Sequence, residues 1–85
     1  MDIELELFGT LRGLEPGDRL QVPVAGGTVA DLRAALATHA AARWPRVTPG
    51  LLGSCAFATP SAVLRDGEPL PADGRMVVLP PVSGG

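Results

Sequence analysis

The sequence predicts an α+β domain: a small mixed β-sheet packed on one main helix, with an extended C-terminal tail. Three observations carry this. Ile3-Glu4-Leu5-Glu6-Leu7-Phe8 alternates apolar and acidic residues with the period of a strand that buries one face. Val29, Leu32, Leu36 and Ala40 recur at helical spacing in an Ala-rich stretch, and Trp44 can extend the stripe. Arg75-Met76-Val77-Val78-Leu79 is a β-branched run stopped by Pro80. The chain has 85 residues, which suffices for one domain and excludes a second. That domain is expected over 1–79, with a flexible tail over 80–85.

Between these anchors the elements follow in order. Gly9 to Asp18, with its Pro16-Gly17 turn dipeptide, joins the first strand to Arg19-Leu20-Gln21-Val22-Pro23-Val24, where Leu20, Val22 and Val24 share a face; the pair reads as a hairpin. Pro23 lacks an amide donor and so puts the second strand at an edge. Gly26-Gly27 breaks the chain, Thr28 is a natural N-cap, and Asp31 stands three residues on, where it can bond back. Pro45 ends the helix. Arg46 to Gly53 carries two breakers and reads as a loop with room for one helical turn. Ser54-Cys55-Ala56-Phe57-Ala58 and Ala62-Val63-Leu64-Arg65 read as short strands. Asp66-Gly67 forms a turn before Glu68-Pro69-Leu70, and Asp73-Gly74 forms another before the last strand.

Composition narrows the function classes. Gly and Pro together make up about a quarter of the chain, but they punctuate apolar runs and do not form a low-complexity block. The net charge of −2 and a pI near 5.1 argue against binding a nucleic-acid backbone, which needs clustered cations. All seven cations are Arg, so no side chain can form a Schiff base or accept an isopeptide bond. Cys55 is the sole cysteine and His39 the sole histidine, which leaves neither a disulfide nor a Cys/His metal cluster. The opening residues lack the pattern of a secretory signal. The longest uncharged run, Val47 to Leu64, is broken by Pro49, Gly50, Gly53 and Pro60, so neither secretion nor a membrane helix is expected, and the chain reads as cytoplasmic.

The final residues, Pro80-Pro81-Val82-Ser83-Gly84-Gly85, have no packing reason for their composition. Two prolines favour an extended arm, and six extended residues reach roughly 20 Å. From Met76 to Gly85 no side chain is charged, so a terminal carboxylate would be the sole charge brought into a partner's cleft. Gly84 and Gly85, lacking a β-carbon, let a narrow channel close around the backbone while that carboxylate meets an electrophile. The bland alternative is a frayed terminus. It does not account for two prolines planted directly after a strand.

This element order, with its last strand running into Leu79-Pro80-Pro81-Val82-Ser83-Gly84-Gly85, resembles the MoaD/ThiS family of ubiquitin-like sulfur carriers, and within it the MoaD branch, the small subunit of molybdopterin synthase. Phe8-Gly9-Thr10-Leu11-Arg12 is similar to the family's first-strand exit, and Thr28-Val29-Ala30-Asp31-Leu32 to its helix start. Leu79 stands where the family often has an aromatic residue, and Val47 to Ser61 matches no family pattern.

The resemblance implies a ubiquitin-like β-grasp fold and a carrier cycle. A ubiquitin-activating-enzyme-like (MoeB-like) adenylyltransferase would use ATP to adenylate Gly85, with Gly84 as its slender neighbour. A sulfur donor protein would then convert the adenylate to a thiocarboxylate. A MoaE-like large synthase subunit would pass the sulfur to cyclic pyranopterin monophosphate. No cofactor is expected to stay bound, and the chain is not expected to be an enzyme by itself. Sulfur delivery to thiamine or another metabolite, conjugation as a ubiquitin-like modifier, and a plain interaction domain are the alternatives.

Other side chains carry weaker signals. Pro80, Pro81, Val82 and Ser83 are the expected partner contacts of the arm, and Phe8, Leu79 and Val82 flank it as an apolar docking patch, core burial being the other reading for Phe8. Arg12 either meets an acidic partner surface or is simply an exposed turn residue. Cys55 reads as a buried thiol with no nearby cation, His39 as a half-exposed helix residue without a carboxylate partner, and Trp44 as a cover for the end of the core. Gly26-Gly27 is a loop before a cap; no Lys-Ser/Thr follows to make it a phosphate cradle.

Overall fold

Charges on alternate positions of β1 (Asp2–Leu7) force its apolar residues to one side, and Ile3, Leu5 and Leu7 are buried while Glu4 and Glu6 stay half-exposed. The computed structural model describes residues 1–81. β2 (Arg19–Pro23) pairs antiparallel with β1, Ile3 opposite Val22 and Leu5 opposite Leu20, and β2 forms one edge of the sheet. The Val24 N–H donates to the Met1 carbonyl at 2.8 Å. Antiparallel alternation then turns position 23 toward the open edge, where proline's missing donor costs no ladder bond.

The helix starts where its cap predicts. In α1 (Val29–Arg43) the Asp31 N–H donates to Thr28 Oγ1 at 3.3 Å, and Asp31 Oδ2 accepts from the Thr28 amide at 3.1 Å and its hydroxyl at 2.9 Å. These bonds, the Thr28 amide first, hold the Asp31 carboxyl below its ordinary pKa. A Cβ at Gly26 would overlap the Asp31 carboxylate, so this glycine makes room for the cap. Val29, Leu32, Leu36, Ala40 and Trp44 form the buried stripe, and the Trp44 N–H closes the last turn on the Ala40 carbonyl at 2.8 Å. The segment expected to be a loop contains the short helix α2 (Pro49–Gly53), capped by Thr48 and burying Leu52.

The second half of the sheet is sparser than its sequence reading. β3 (Ala56–Ala58) and β4 (Val63–Leu64) are three and two residues long. Glu68-Pro69-Leu70 fastens the start of α1: Glu68 accepts from the Val29 N–H at 3.0 Å and Leu70 donates to the Gly27 carbonyl at 2.9 Å. β5 (Arg75–Leu79) inserts beside β1 in parallel and beside β3 antiparallel, giving the order β2-β1-β5-β3-β4. A mixed five-stranded sheet closed over one main helix is the β-grasp arrangement expected from the sequence. Its core is a single apolar cluster, and the buried members all lie between Ile3 and Val78. Among the described residues no helix is long and apolar enough to cross a membrane.

Candidate functional site

The strand that leads to the C-terminal residues lies at the centre of the sheet. Leu7 of β1 is in register with Val78 of β5, and beyond that pair the two chains leave side by side, Phe8 and Gly9 next to Leu79 and Pro80. Phe8, Leu79 and Pro80 are half-buried and Pro81 is exposed. The two readings of Phe8 therefore meet halfway: it is neither a core residue nor a free one. Gly9 has φ +59°, and a Cβ there would lie 2.9 Å from Pro80 Cγ, so the proline ring sits directly on bare backbone. Val82, Ser83, Gly84 and Gly85, the expected contact and chemical residues of the arm, lie outside the described residues.

Arg12 is exposed, with its Nε 3.4 Å from Asp18 Oδ2. Asp18 also accepts from the Gly13 amide at 2.7 Å, and that backbone bond is the main reason its carboxyl lies below the ordinary range. The arginine thus has an intramolecular partner that its sequence position did not reveal.

The helix-free face of the sheet supplies a surface that the sequence reading missed. Register places Arg19, Glu6, Val77, Ala58 and Val63 in one row across five strands, with Gln21, Glu4 and Arg75 beside them. Val63 is 63% exposed, the most exposed large apolar side chain of the described residues. The alternation of β1 and β5 puts Phe8 and Leu79 on the same face, at its end. Glu4 lies 4.0 Å from both Arg19 and Arg75, so the charged half of the face is balanced while the half toward β3 and β4 is apolar. A charged half beside an apolar half gives this face both the polar contacts and the apolar surface that a transient protein interface combines, with Ala58 of the row itself buried. The sequence signal was too short to find it, because a two-residue strand has no period.

One corner of the molecule overturns a reading. His39 does have a carboxylate partner: its Nε2 lies 3.0 Å from Glu15 Oε2, the atom that also accepts from Trp44 Nε1 at 2.9 Å. The His39 and Trp44 rings meet edge to face at 5.2 Å. Glu15 is 24 residues from His39 in the chain, a distance across which no local spacing rule operates. The His39 bond, then that of Trp44 and the charges of His39 and Arg43, hold the Glu15 carboxyl below its ordinary pKa against the effect of burial. A carboxylate lowered in the folded state stabilises it above the unfolded pKa and loses that contribution as pH falls through the folded value. Glu15→Gln is therefore expected to flatten the acid limb of stability between about pH 5 and 3. Thermal melts across that range check it; parallel curves for the two proteins would remove Glu15 as the cause.

Cys55 is buried as expected, but a cation is close: Arg33 Nη1 donates to the Cys55 carbonyl at 2.7 Å. Burial outweighs that charge and pushes the thiol up, away from the reactive thiolate. A depression of about 510 Å³ between β2 and α1 has Asp31 and His39 as its ionisable lining, both committed to Thr28 and Glu15. Among the described residues no group of three or more His, Cys, Asp or Glu could hold a metal ion.

Comparison with known proteins adds to this geometry. Curated protein sequences give no match. The crystal structure of SAMP1 from Haloferax volcanii is similar over the whole of both chains, at 27% identity and a TM-score of 0.67. A complex of subunits 1 and 2 of molybdopterin-converting factor from Helicobacter pylori is similar over the whole of both chains at 26% identity and a TM-score of 0.59. The ThiS family model matches residues 5–85, from the first strand through Gly84-Gly85, and a β-grasp chain matched over that length belongs to the ThiS family of ubiquitin-like sulfur carriers.

Proposed function

We propose that this chain is the sulfur-carrying small subunit of a molybdopterin synthase, with the Gly85 carboxylate as its reacting group and Gly84 as the slender link before it. The observation that carries the reading is the course of β5: a central strand that passes through Pro80-Pro81 toward an end free of charged side chains from Met76 onward. The family match through Gly85 supports the carrier class. The Pro-Pro-Val-Ser run and the likeness to a molybdopterin-converting factor complex favour the molybdopterin branch over thiamine synthesis.

The chemistry follows from what a carboxylate lacks. It is a poor acyl donor until one oxygen attacks the α-phosphorus of ATP, expels pyrophosphate and leaves an acyl-adenylate. Sulfide-level sulfur from a donor protein then displaces AMP and gives the thiocarboxylate directly, or a donor persulfide displaces AMP and a thiol reductant cleaves the resulting acyl disulfide to it. Ionised at neutral pH and more polarizable than oxygen, that sulfur bonds to a carbon of the pterin precursor as a leaving group departs from it. Water then cleaves the acyl C–S bond of the resulting thioester, which leaves the sulfur on the pterin and restores the carboxylate. ATP belongs to the activating enzyme, and the acid, base and oxyanion donors belong to the partners. The apolar half of the sheet face, with Phe8 and Leu79 at its end and Arg12 nearby, is the surface assigned to the large subunit and the adenylyltransferase.

Mass spectrometry tests the reading. With ATP and a MoeB-like adenylyltransferase the protein is expected to gain an AMP adduct at Gly85. With a sulfur donor it is expected to show the mass gain of one oxygen replaced by sulfur, and with a MoaE-like subunit and cyclic pyranopterin monophosphate to yield molybdopterin. A carboxylate mass that never changes overturns the carrier reading. Rescue of thiamine synthesis alone would move it to the thiamine branch. Higher-mass conjugates that survive thiol reductant would make it a modifier, one whose own side chains offer no lysine acceptor.

A further inference from the structure

We infer that Gly9 is a positioning residue for the C-terminal arm: a side-chain-free seat that holds the Pro80 ring and so fixes the direction in which the last residues leave the sheet. The inference rests on the carrier reading for its purpose, but its geometry stands apart from it. β1 and β5 run in parallel to the register Leu7 with Val78, so Phe8 with Leu79 and then Gly9 with Pro80 are the pairs beyond the ladder, where the pairing of β1 with β5 no longer aligns them. At that point β1 turns away through a left-handed residue, Gly9 at φ +59°, into the 3-10 turn Gly9–Leu11. The turn leaves backbone facing Pro80, whose Cγ is 2.9 Å and Cδ 3.5 Å from where a Cβ would stand.

A proline ring cannot rotate out of such a contact, because its atoms are locked to the backbone. Any β-carbon at position 9 therefore shifts the backbones at positions 9 and 80 relative to each other. The platform under the ring is itself held at two places. Leu11 is fully buried, with its N–H on the Phe8 carbonyl at 3.1 Å, while the Arg12 N–H closes on the Gly9 carbonyl at 3.1 Å. Farther along the same connection, Glu15 ties it to His39 and Trp44 of the helix end. In the carrier reading the reacting carboxylate lies five residues beyond Pro80, and small misplacements are costly in activation chemistry.

The molecule contains its own control. Gly17 also lies at positive φ, +67°, but a Cβ there would meet nothing within 4 Å, so Gly17→Ala carries the backbone strain without the contact. Gly9→Ala is expected to raise KM for the adenylyltransferase roughly tenfold with kcat little changed, whereas Gly17→Ala leaves both as they were. Adding Pro80→Gly to Gly9→Ala is expected to bring KM back toward that of Pro80→Gly alone, since the clash is gone. A second readout does not depend on activity. In the unmodified protein, NMR should show a Gly9 Hα to Pro80 Hγ cross-peak, and Gly9→Ala should shift the amides of Val82 and Ser83 more than Gly17→Ala does.

Equal effects of Gly9→Ala and Gly17→Ala in both arms, or a Gly9→Ala penalty that persists in full in the Pro80→Gly background, overturn the seat. If the unmodified protein is never adenylated while the cross-peak and the selective amide shifts are present, the seat stands and the carrier reading is what fails.

Discussion

Removal of Gly85 is expected to abolish thiocarboxylate formation while the thermal melt stays within about 1 °C of the intact chain. The two halves of this result have separate physical causes. The buried core is assembled between Ile3 and Val78, and α1, its cap and the sheet register are all complete before Pro80. Shortening the chain at position 85 therefore takes no apolar surface out of the core. Chemically the loss is expected to be total, because in the carrier reading the shortened chain ends one residue early, which for an extended backbone is about 3.5 Å. Gly85→Ala is the milder variant: it restores the length but sets a methyl beside the carbonyl, where the activating nucleotide and then the sulfur must approach. We expect it to keep the melt and lose roughly ten- to a hundredfold in adenylation. Calorimetry with intact-mass spectrometry on the same samples decides the matter. Thiocarboxylate on the shortened chain would show that Gly85 is not what reacts, and a fall of several degrees in its melt would show that Gly85 contributes to the fold.

Much of the fold could be read from the sequence because its strongest signals are local. The Glu4/Glu6 alternation, the Thr28–Asp31 cap and the Val29, Leu32, Leu36, Ala40 stripe each encode geometry within a few residues, and each is found as expected. The segment from Arg46 to Leu70 was harder for the opposite reason. β3 and β4 are too short to display a period, and Glu68-Pro69-Leu70 is fixed by bonds to Gly27 and Val29, some forty residues away in the chain. At the candidate site, the residues of the arm announce themselves by composition. Their supports do not: the Gly9 seat, the Glu15 bonds and the Val77–Ala58–Val63 row exist only once parallel and antiparallel neighbours are aligned. Sequence patterns expose what a segment does alone, and this site depends on what the sheet brings beside it.

The largest stability effect is expected at Arg33, a residue with no distinguishing sequence signal. Its Nη1 donates to the carbonyls of Leu52 at 2.9 Å and Cys55 at 2.7 Å, its Nε and Nη2 reach Asp66 Oδ1 at 3.2 and 2.8 Å, and its guanidinium carbon stands 4.9 Å from the centre of the Phe57 ring. One side chain thus ties α1 to the end of α2, the start of β3 and the turn after β4. The ion pair is the smaller part: the Asp66 side chain is 55% exposed, and such pairs contribute about 0–1 kcal/mol. The carbonyl bonds matter more, because their removal leaves two part-buried acceptors without partners, at about 1–3 kcal/mol for each group that water cannot reach. Stacking on Phe57 adds about 0.5–1 kcal/mol. Arg33→Ala is therefore expected to cost about 2–4 kcal/mol, which lowers the melt of a domain this size by about 10 °C or more. Arg33→Lys keeps a charge but not the planar fork, and should recover less than half of the loss. Asp66→Asn should cost under about 1 kcal/mol. Urea titrations of the three variants give the order, and an Asp66→Asn as damaging as Arg33→Ala would mean that the ion pair, not the carbonyl bonds, holds the corner together. Because β3 pairs with β5, loosening this corner acts on the strand that carries the arm. Sulfur transfer per folded molecule should nonetheless be unchanged below the melt, since Arg33 touches neither Pro80 nor the helix-free face.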